Sequence, residues 1–428
     1  MNYFKLGDII WQRVFGYPMG PQTKKFFRHV GIVAIASLLG SAVSFGGTIL
    51  AGRILGPEQY GMVNVILAVG SFLVLFMAMG FPHALMHYLA KGEDPRKISS
   101  TAFSAVICLA LGVSIAFLLL VPLIAPIIRV APFLLVLGIS YGVIMVLANF
   151  FQSLFQGLAL FSRVALFNFS ASVFFVGILF FSLFAANIHT FESLFGAHLL
   201  RWVVPVGIAA VFMRAYLFPP RFDLQRAKTL MGFGVWAFLG IVPGYFLGYV
   251  DKVMLNYFLG AGWVGIYSAY MLSSALVLER GAGALLAVFF PYSSGVDDKL
   301  SLFRKMNTLV RYLGVPVIIF LYLTIAATIF LFGSAYEFNH VFALAFSVSG
   351  FLSLWGNVSL WFIFSMGGSA LRFMSLQVWI SMAINVLLNF FFIPMMGVLG
   401  AAVATIAGFG YLILMANYYV YRKGAKKT

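Results

Sequence analysis

Six charged residues lie inside long apolar stretches of this chain: Arg53, Arg201, Lys252, Arg280, Asp251 and Glu279. A charge at mid-helix in a membrane costs about 2.5–3.5 kcal/mol on insertion scales, so such residues usually face a wet cavity or a partner. Four bases suit an anionic ligand, and the two acids are the candidate sites for a coupling proton or sodium ion. Arg201 sits about eight residues into its apolar run, roughly 12 Å deep at a helical rise of ~1.5 Å. Glu279-Arg280 lies deeper still. Arg53 and Lys252 stand near the ends of their runs, where snorkelling to the surface competes evenly with a cavity role. Adjacent residues such as Asp251-Lys252 point about 100° apart on a helix and are expected to pair across helices rather than with each other.

Enzyme constellations are absent from the sequence. There is no G-x-x-x-x-G-K-[ST] phosphate loop and no H-E-x-x-H. Gly281-x-Gly283 and Gly408-x-Gly410 lack the third glycine of a dinucleotide fingerprint. His83 and His87 have the i, i+4 spacing that can chelate a metal. They stand beside Gly80-Phe81-Pro82 at the end of an apolar run and read better as interfacial histidines. Cys108, the single cysteine, excludes a disulfide framework, a cysteine zinc site and an iron–sulfur cluster. No metal or cofactor is expected. Tyr60, Tyr245, Tyr249, Tyr267 and Tyr270 could stack on sugars, and their spacing does not discriminate among them.

The elements that position these residues follow from composition. The chain has 428 residues, 63% apolar and 9% charged, against roughly 45–50% and 25% in a soluble domain. A bilayer-crossing helix needs about 20 apolar residues. About twelve such runs are present, near 30–52, 60–90, 98–126, 132–160, 164–186, 193–215, 230–258, 262–292, 309–332, 338–366, 373–393 and 398–420. The expected fold is an all-α polytopic membrane protein. With the N-terminus in the cytoplasm, 22 of the 27 bases fall in cytoplasmic segments, as the positive-inside rule requires. These segments also hold six acids, so the net charge of +16 is a topology signal and not a nucleic-acid footprint. Both termini are expected in the cytoplasm. The external connections are all short, too short for a soluble catalytic domain.

Residues 1–29 lack the apolar core of a cleavable signal and read as a basic leader, in part interfacial. A six-span lobe over 30–217, a linker over 218–229, a second lobe over 230–421 and a basic tail over 422–428 follow. The lobes are internal copies. Leu55-Gly56-x4-Gly61 recurs 204 positions later as Leu259-Gly260-x4-Gly265. Ala36, Gly40 and Ser44 map onto Gly240, Gly244 and Gly248, and Gly196-Ala197 onto Gly400-Ala401. Six spans per copy give both copies the same polarity, hence a pseudo-twofold along the membrane normal, as in parallel-repeat transporters. Gly46-Gly47 and Pro243-Gly244 are the expected hinges.

Arg53-Ile-Leu-Gly56-Pro-Glu-Gln-Tyr60-Gly61, together with Asp251-Lys252 before Leu259-Gly260-x4-Gly265-x-Tyr267 and with Phe155-Gln156-Gly157, resembles the polysaccharide-biosynthesis flippases of the multidrug/oligosaccharidyl-lipid/polysaccharide exporter superfamily. The resemblance implies two six-helix lobes that carry a polyprenyl-pyrophosphate-linked oligosaccharide from the inner to the outer leaflet of a prokaryotic cytoplasmic membrane by alternating access. It implies no enzymatic step, and partners limited to the lipid-linked glycan, membrane lipid and polysaccharide polymerase or glycosyltransferase machinery. Arg53, Arg201, Lys252 and Arg280 would then neutralise the pyrophosphate, and Asp251 or Glu279 would couple transport to an ion. The alternatives are a cation-coupled multidrug antiporter of the same fold and, more distantly, a membrane glycan polymerase or ligase.

Overall fold

The computed structural model describes residues 21–219, 222–274, 299–366 and 368–425. In chain order the helices are α1 (Pro21–Ala78), α2 (Phe81–Ala90), α3 (Pro95–Ile128), α4 (Pro132–Gly157), α5 (Phe161–Phe180), α6 (Phe191–Phe212), the single turn α7 (Arg214–Leu217), α8 (Leu224–Leu259), α9 (261–274), α10 (Lys299–Phe332), α11 (His340–Ser365), α12 (Gly368–Met396) and α13 (Val398–Ala425). No strand occurs among the described residues. Ten of these helices are long and apolar enough to cross a membrane, and the protein is a multi-pass membrane protein. Much of α3 is exposed, with Leu111, Ile115, Leu119, Leu123 and Ile127 all more than half accessible. In water such a surface would aggregate; in lipid it costs nothing.

Dividing α1 at Gly56 gives eleven of the expected spans among the described residues, and the run expected over 262–292 is described only as far as residue 274. Its backbone leaves the helix at Gly56 (φ 76°, ψ 172°). Before this point α1 runs alongside α5, with Gly40 against Ser172 and Gly47 against Phe175 and Val176. Beyond it the chain follows α4 instead, with Gly70 against Gly138 and Tyr141, and Gly142 near Leu73 and Met77. Because α4 and α5 form a hairpin, α1 reverses direction at Gly56. The equivalent residue of the second half, Gly260, has φ 90° and ψ 171° and separates α8 from α9. The 204-residue repeat is therefore written in the backbone. This conformation is essentially restricted to glycine and costs other residues about 1–3 kcal/mol. Neither glycine has a neighbour within 4 Å of a built Cβ. Gly56→Ala and Gly260→Ala are thus expected to lower stability by about that amount each through the backbone alone, as measured by thermal unfolding in detergent. Equal melting of all three proteins would refute this.

The helix is continuous through Gly46-Gly47 and through Pro243-Gly244. Breaks fall at Gly56, at Gly260 and at Met79-Gly80, where both φ values are positive and the run expected over 60–90 divides into the end of α1 and α2. The small-residue faces also differ. Gly40 packs on α5, whereas Gly240, Gly244 and Gly248 have no described atom within 4 Å of a built Cβ.

The first lobe is built from α1 to α6, with α1 packed on α4 and α5. In the second, α12, α13 and α11 pack on one another and α12 packs on α8. One apolar core runs through the first lobe and on into Leu255, Val264, Tyr267, Ile329 and Phe332 of the second. A separate core, including Phe303, Phe362, Met374 and Leu412, fills the opposite end of the second lobe. The shared core lies toward the end that the charge bias assigns to the outside, called the outer end below. At the other end Asp94 caps α3 by accepting hydrogen bonds from the backbone N–H groups of Lys97 and Arg96, which hold its carboxyl below the usual carboxylate range. That contribution to stability is present above the unfolded-state value and is lost as pH falls through the lowered one.

Candidate functional site

At the outer end the lobes meet backbone to backbone. A Cβ built on Gly61 would lie 1.7 Å from the carbonyl oxygen of Ala261, and one built on Gly265 would lie 1.9 Å from that of Pro57. Under the 204-residue offset Pro57 maps onto Ala261 and Gly61 onto Gly265, so each copy of the motif packs its glycine on the other's carbonyl. Around this pair Tyr336 donates from its hydroxyl to the Gly52 carbonyl at 3.2 Å. The Phe332 ring lies flush against Gly52, and Tyr60 contacts both Phe332 and Tyr336. Arg129 stacks its guanidinium 4.8 Å from the Tyr257 ring of the other lobe. Asn256 in turn donates to the Arg129 carbonyl at 3.2 Å.

Inward of this seal lie two of the expected cations, one from each lobe. Lys252 on α8 donates from Nζ to Asn64 Oδ1 of α1 at 3.0 Å. Arg201 on α6 sits over the rings of Phe175 and Trp202 at 5.0 and 5.4 Å. Its Nε is buried without a hydrogen-bond partner, and among the described residues no carboxylate is within ion-pair distance. The charges of Arg201 and Lys252 both reach His198 on α6. Tyr141 of α4 lies in the electrostatic neighbourhood of Arg201, Tyr245 and Tyr249. Arg201 and Lys252, one from each lobe, thus both act electrostatically on His198. Arg53 stands apart from them: its side chain is exposed at the outer end, beside Gly333. Arg280 and Glu279 lie outside the described residues.

Asp251 points the other way, into the second lobe, where it is 1% exposed. Tyr267 donates its hydroxyl to Oδ2 and Asn389 its amide to Oδ1, each at 2.6 Å. The same Asn389 amide reaches Asn385 Oδ1 at 3.1 Å, and Asn385 donates to the Thr405 hydroxyl at 3.4 Å. Asn389 Oδ1 is buried with no hydrogen-bond partner. A carboxylate, two amide oxygens and a hydroxyl form a hard-oxygen set, one donor short of satisfaction. Adjacent Asp251 and Lys252 thus serve different helices, as expected for neighbours on one helix. Tyr267, one of the five candidate sugar platforms, is committed to this network, and Tyr60 and Tyr270 are buried as well.

Toward the opposite end the lobes enclose a polar cavity of about 260 Å³. Its walls include Asn149, Gln152, Ser153 and Gln156 of α4, His83 of α2, and Tyr245 of α8. Lateral closure comes from Gly80, whose built Cβ would lie 1.9 Å from the Gly234 carbonyl oxygen. His87 stacks on Phe233 at 4.3 Å, and Arg226 lies 3.8 Å from Glu93. Neither histidine has a metal-ligating set around it, and no group of three such residues occurs among the described residues. Sequence reasoning missed the α4 amides, as it missed Asn385 and Asn389. The signal in both cases is polar residues at i, i+3, i+4 or i+7 within an apolar run, one face of a helix.

Residues 26–296, well over half the chain, match the family model described as "Polysaccharide biosynthesis protein". The chain belongs to that family. An uncharacterized membrane protein of Methanocaldococcus jannaschii, MJ1068, is 25% identical to this polysaccharide biosynthesis protein family member, over 91% of this chain and 82% of its own. Among solved structures, a multidrug resistance MATE family transporter of the MOP superfamily in its inward-facing conformation superposes with a TM-score of 0.64 at 14% identity. That likeness covers 92% of this chain and 99% of the other. An outward-facing structure of such a transporter gives 0.56, also at 14% identity, over 92% and 96% of the two chains. The lipid II flippase MurJ, in an inward closed conformation, gives 0.54 at 14% identity over 91% and 87%. At this identity these likenesses establish the fold.

Proposed function

We propose that the chain is a flippase that moves a polyprenyl-pyrophosphate-linked oligosaccharide from the inner to the outer leaflet. The observation that carries this reading is the pair Arg201 and Lys252, contributed by opposite lobes and both acting on His198. A pyrophosphate is an anion, and one cation from each lobe neutralises it as the lobes rock. Asp251 is the only buried carboxylate among the described residues and is turned away from the cavity, which counts against a cationic drug as substrate. Membership of the polysaccharide biosynthesis family supports a glycan lipid. The termini lie in the cytoplasm of a prokaryotic cell on this reading, and the inner-leaflet substrate enters while the outer end is sealed. Coupling falls to Asp251, whose hard-oxygen surroundings suit a proton or a sodium ion.

Arg201→Gln and Lys252→Gln test the cationic pair. A hydrogen bond to a charged group contributes about 1.5–3 kcal/mol, so each variant is expected to reduce surface-glycan export by roughly 10- to 150-fold at matched membrane levels. Undiminished export in both would overturn the reading.

A further inference from the structure

We propose that the α4 amide ladder, with Tyr245 opposite, is the subsite that holds the sugar residues of the transported lipid. This rests on the flippase reading and assigns a second, uncharged site within it. Asn149, Gln152 and Gln156 lie along one stripe of α4, spaced by three and four residues, and all three are half-buried in the wall of the polar cavity. A polar side chain in a membrane helix is retained where it meets water or a partner. Among the described residues none of these three amides has a hydrogen-bond partner in the protein, in contrast to Asn385 and Asn389, which spend their amides on Asp251 and each other. Each offers two N–H donors and a carbonyl acceptor, the complement of a sugar's hydroxyl groups, which both donate and accept.

The wall facing them is aromatic: Tyr245 and Phe238 of α8 line the same cavity. Tyr245 packs at 5.8 Å against Tyr249, which fixes its ring while leaving it half exposed. Aromatic rings present a flat apolar face with a polar edge, suited to the C–H face of a pyranose. Charge separates the two regions. The cavity wall carries no Lys, Arg, Asp or Glu, whereas Lys252 lies seven residues further along α8 than Tyr245, about 10 Å at helical rise. A neutral amide pocket beside a cationic one matches a ligand that is neutral at one end and doubly anionic at the next. Of the five tyrosines that sequence could not separate, the structure leaves Tyr245 and Tyr249 half exposed in this region.

The test is photo-crosslinking in intact cells of the native host, so that the cell's own lipid-linked glycan is the probe. Gln152→p-benzoylphenylalanine and Gln156→p-benzoylphenylalanine are irradiated in the full chain, alongside Phe117→p-benzoylphenylalanine in the wholly apolar groove between α1, α3 and α8. Carbohydrate-bearing adducts at 152 and 156, with only sugar-free lipid at 117, are expected. Sugar-free lipid or no adduct at 152 and 156 would overturn the subsite. Gln152→Leu and Gln156→Leu are read in parallel and are expected to reduce export by about threefold to tenfold each, the worth of a neutral hydrogen bond. Export unchanged in both would also overturn it. A defect in Arg201→Gln and Lys252→Gln with none in the amide variants defeats the subsite and leaves the flippase standing. No loss in any of the four defeats both.

Discussion

A methyl group at Gly61 is expected to pry the outer end of the protein open. The built Cβ at this position lies 1.7 Å from the Ala261 carbonyl oxygen, and the neighbouring atoms are the Ala261 carbonyl carbon and the Gly265 nitrogen. All are backbone, so no rotamer change relieves the overlap, and one lobe must move away from the other. Overpacking a tight contact costs about 1–3 kcal/mol. If that cost falls only on the sealed state, the ratio of outward-open to outward-closed protein rises by roughly 5- to 150-fold. Gly265→Ala should act equally, through the Pro57 carbonyl, because the two contacts are related by the internal repeat. The measurement is the distance between spin labels at Glu58 and Trp263, both exposed and on opposite lobes. Gly177→Ala, with no atom within 4 Å of its built Cβ, is the control. An unchanged distance distribution in folded Gly61→Ala protein would refute the seal.

Asp251 is expected to show two separable losses. In Asp251→Leu the Tyr267 hydroxyl and one N–H of the Asn389 amide lose their buried acceptor, at about 1–3 kcal/mol each. The amount of folded protein should fall sharply. Asp251→Asn keeps the shape and one acceptor but removes the charge, so the protein should fold while losing its response to a proton or sodium gradient. In proteoliposomes, transport by wild type should rise when the gradient is imposed. Transport by Asp251→Asn should sit at least tenfold lower and stay flat. An Asp251→Asn protein that folds and still responds to either gradient would remove Asp251 from the coupling step and leave it a structural role alone.

How far these features were legible differs by feature. The spans, the outer turns and the repeat could be read directly, because apolar length and the placement of bases depend on local composition. Gly56 and Gly260 were visible as equivalent positions before any backbone was seen, and they share one unusual conformation. Gly46-Gly47 and Pro243-Gly244 are sequences that permit bending, and both pairs lie within continuous helix in this structure. The charged shortlist was legible as a list of costly residues and not as a site. Lys252 reaches Asn64 of α1 and Arg201 lies over Phe175 and Trp202, while Arg53 on α1 is exposed at the outer end. The amide ladder of α4 and the Asn385–Asn389 pair were passed over because neutral polar residues attract less notice than charges.

The sequence by itself determined the class and the twofold plan of this polysaccharide biosynthesis family member. Those follow from a partition between lipid and water that each segment makes largely on its own. The tertiary structure alone decided which residues meet. The crossing of Gly61 with Ala261, the turn of Asp251 into the second lobe and the reach of Lys252 to Asn64 depend on the rotation of each helix about its axis and on close packing between lobes, which no single segment encodes.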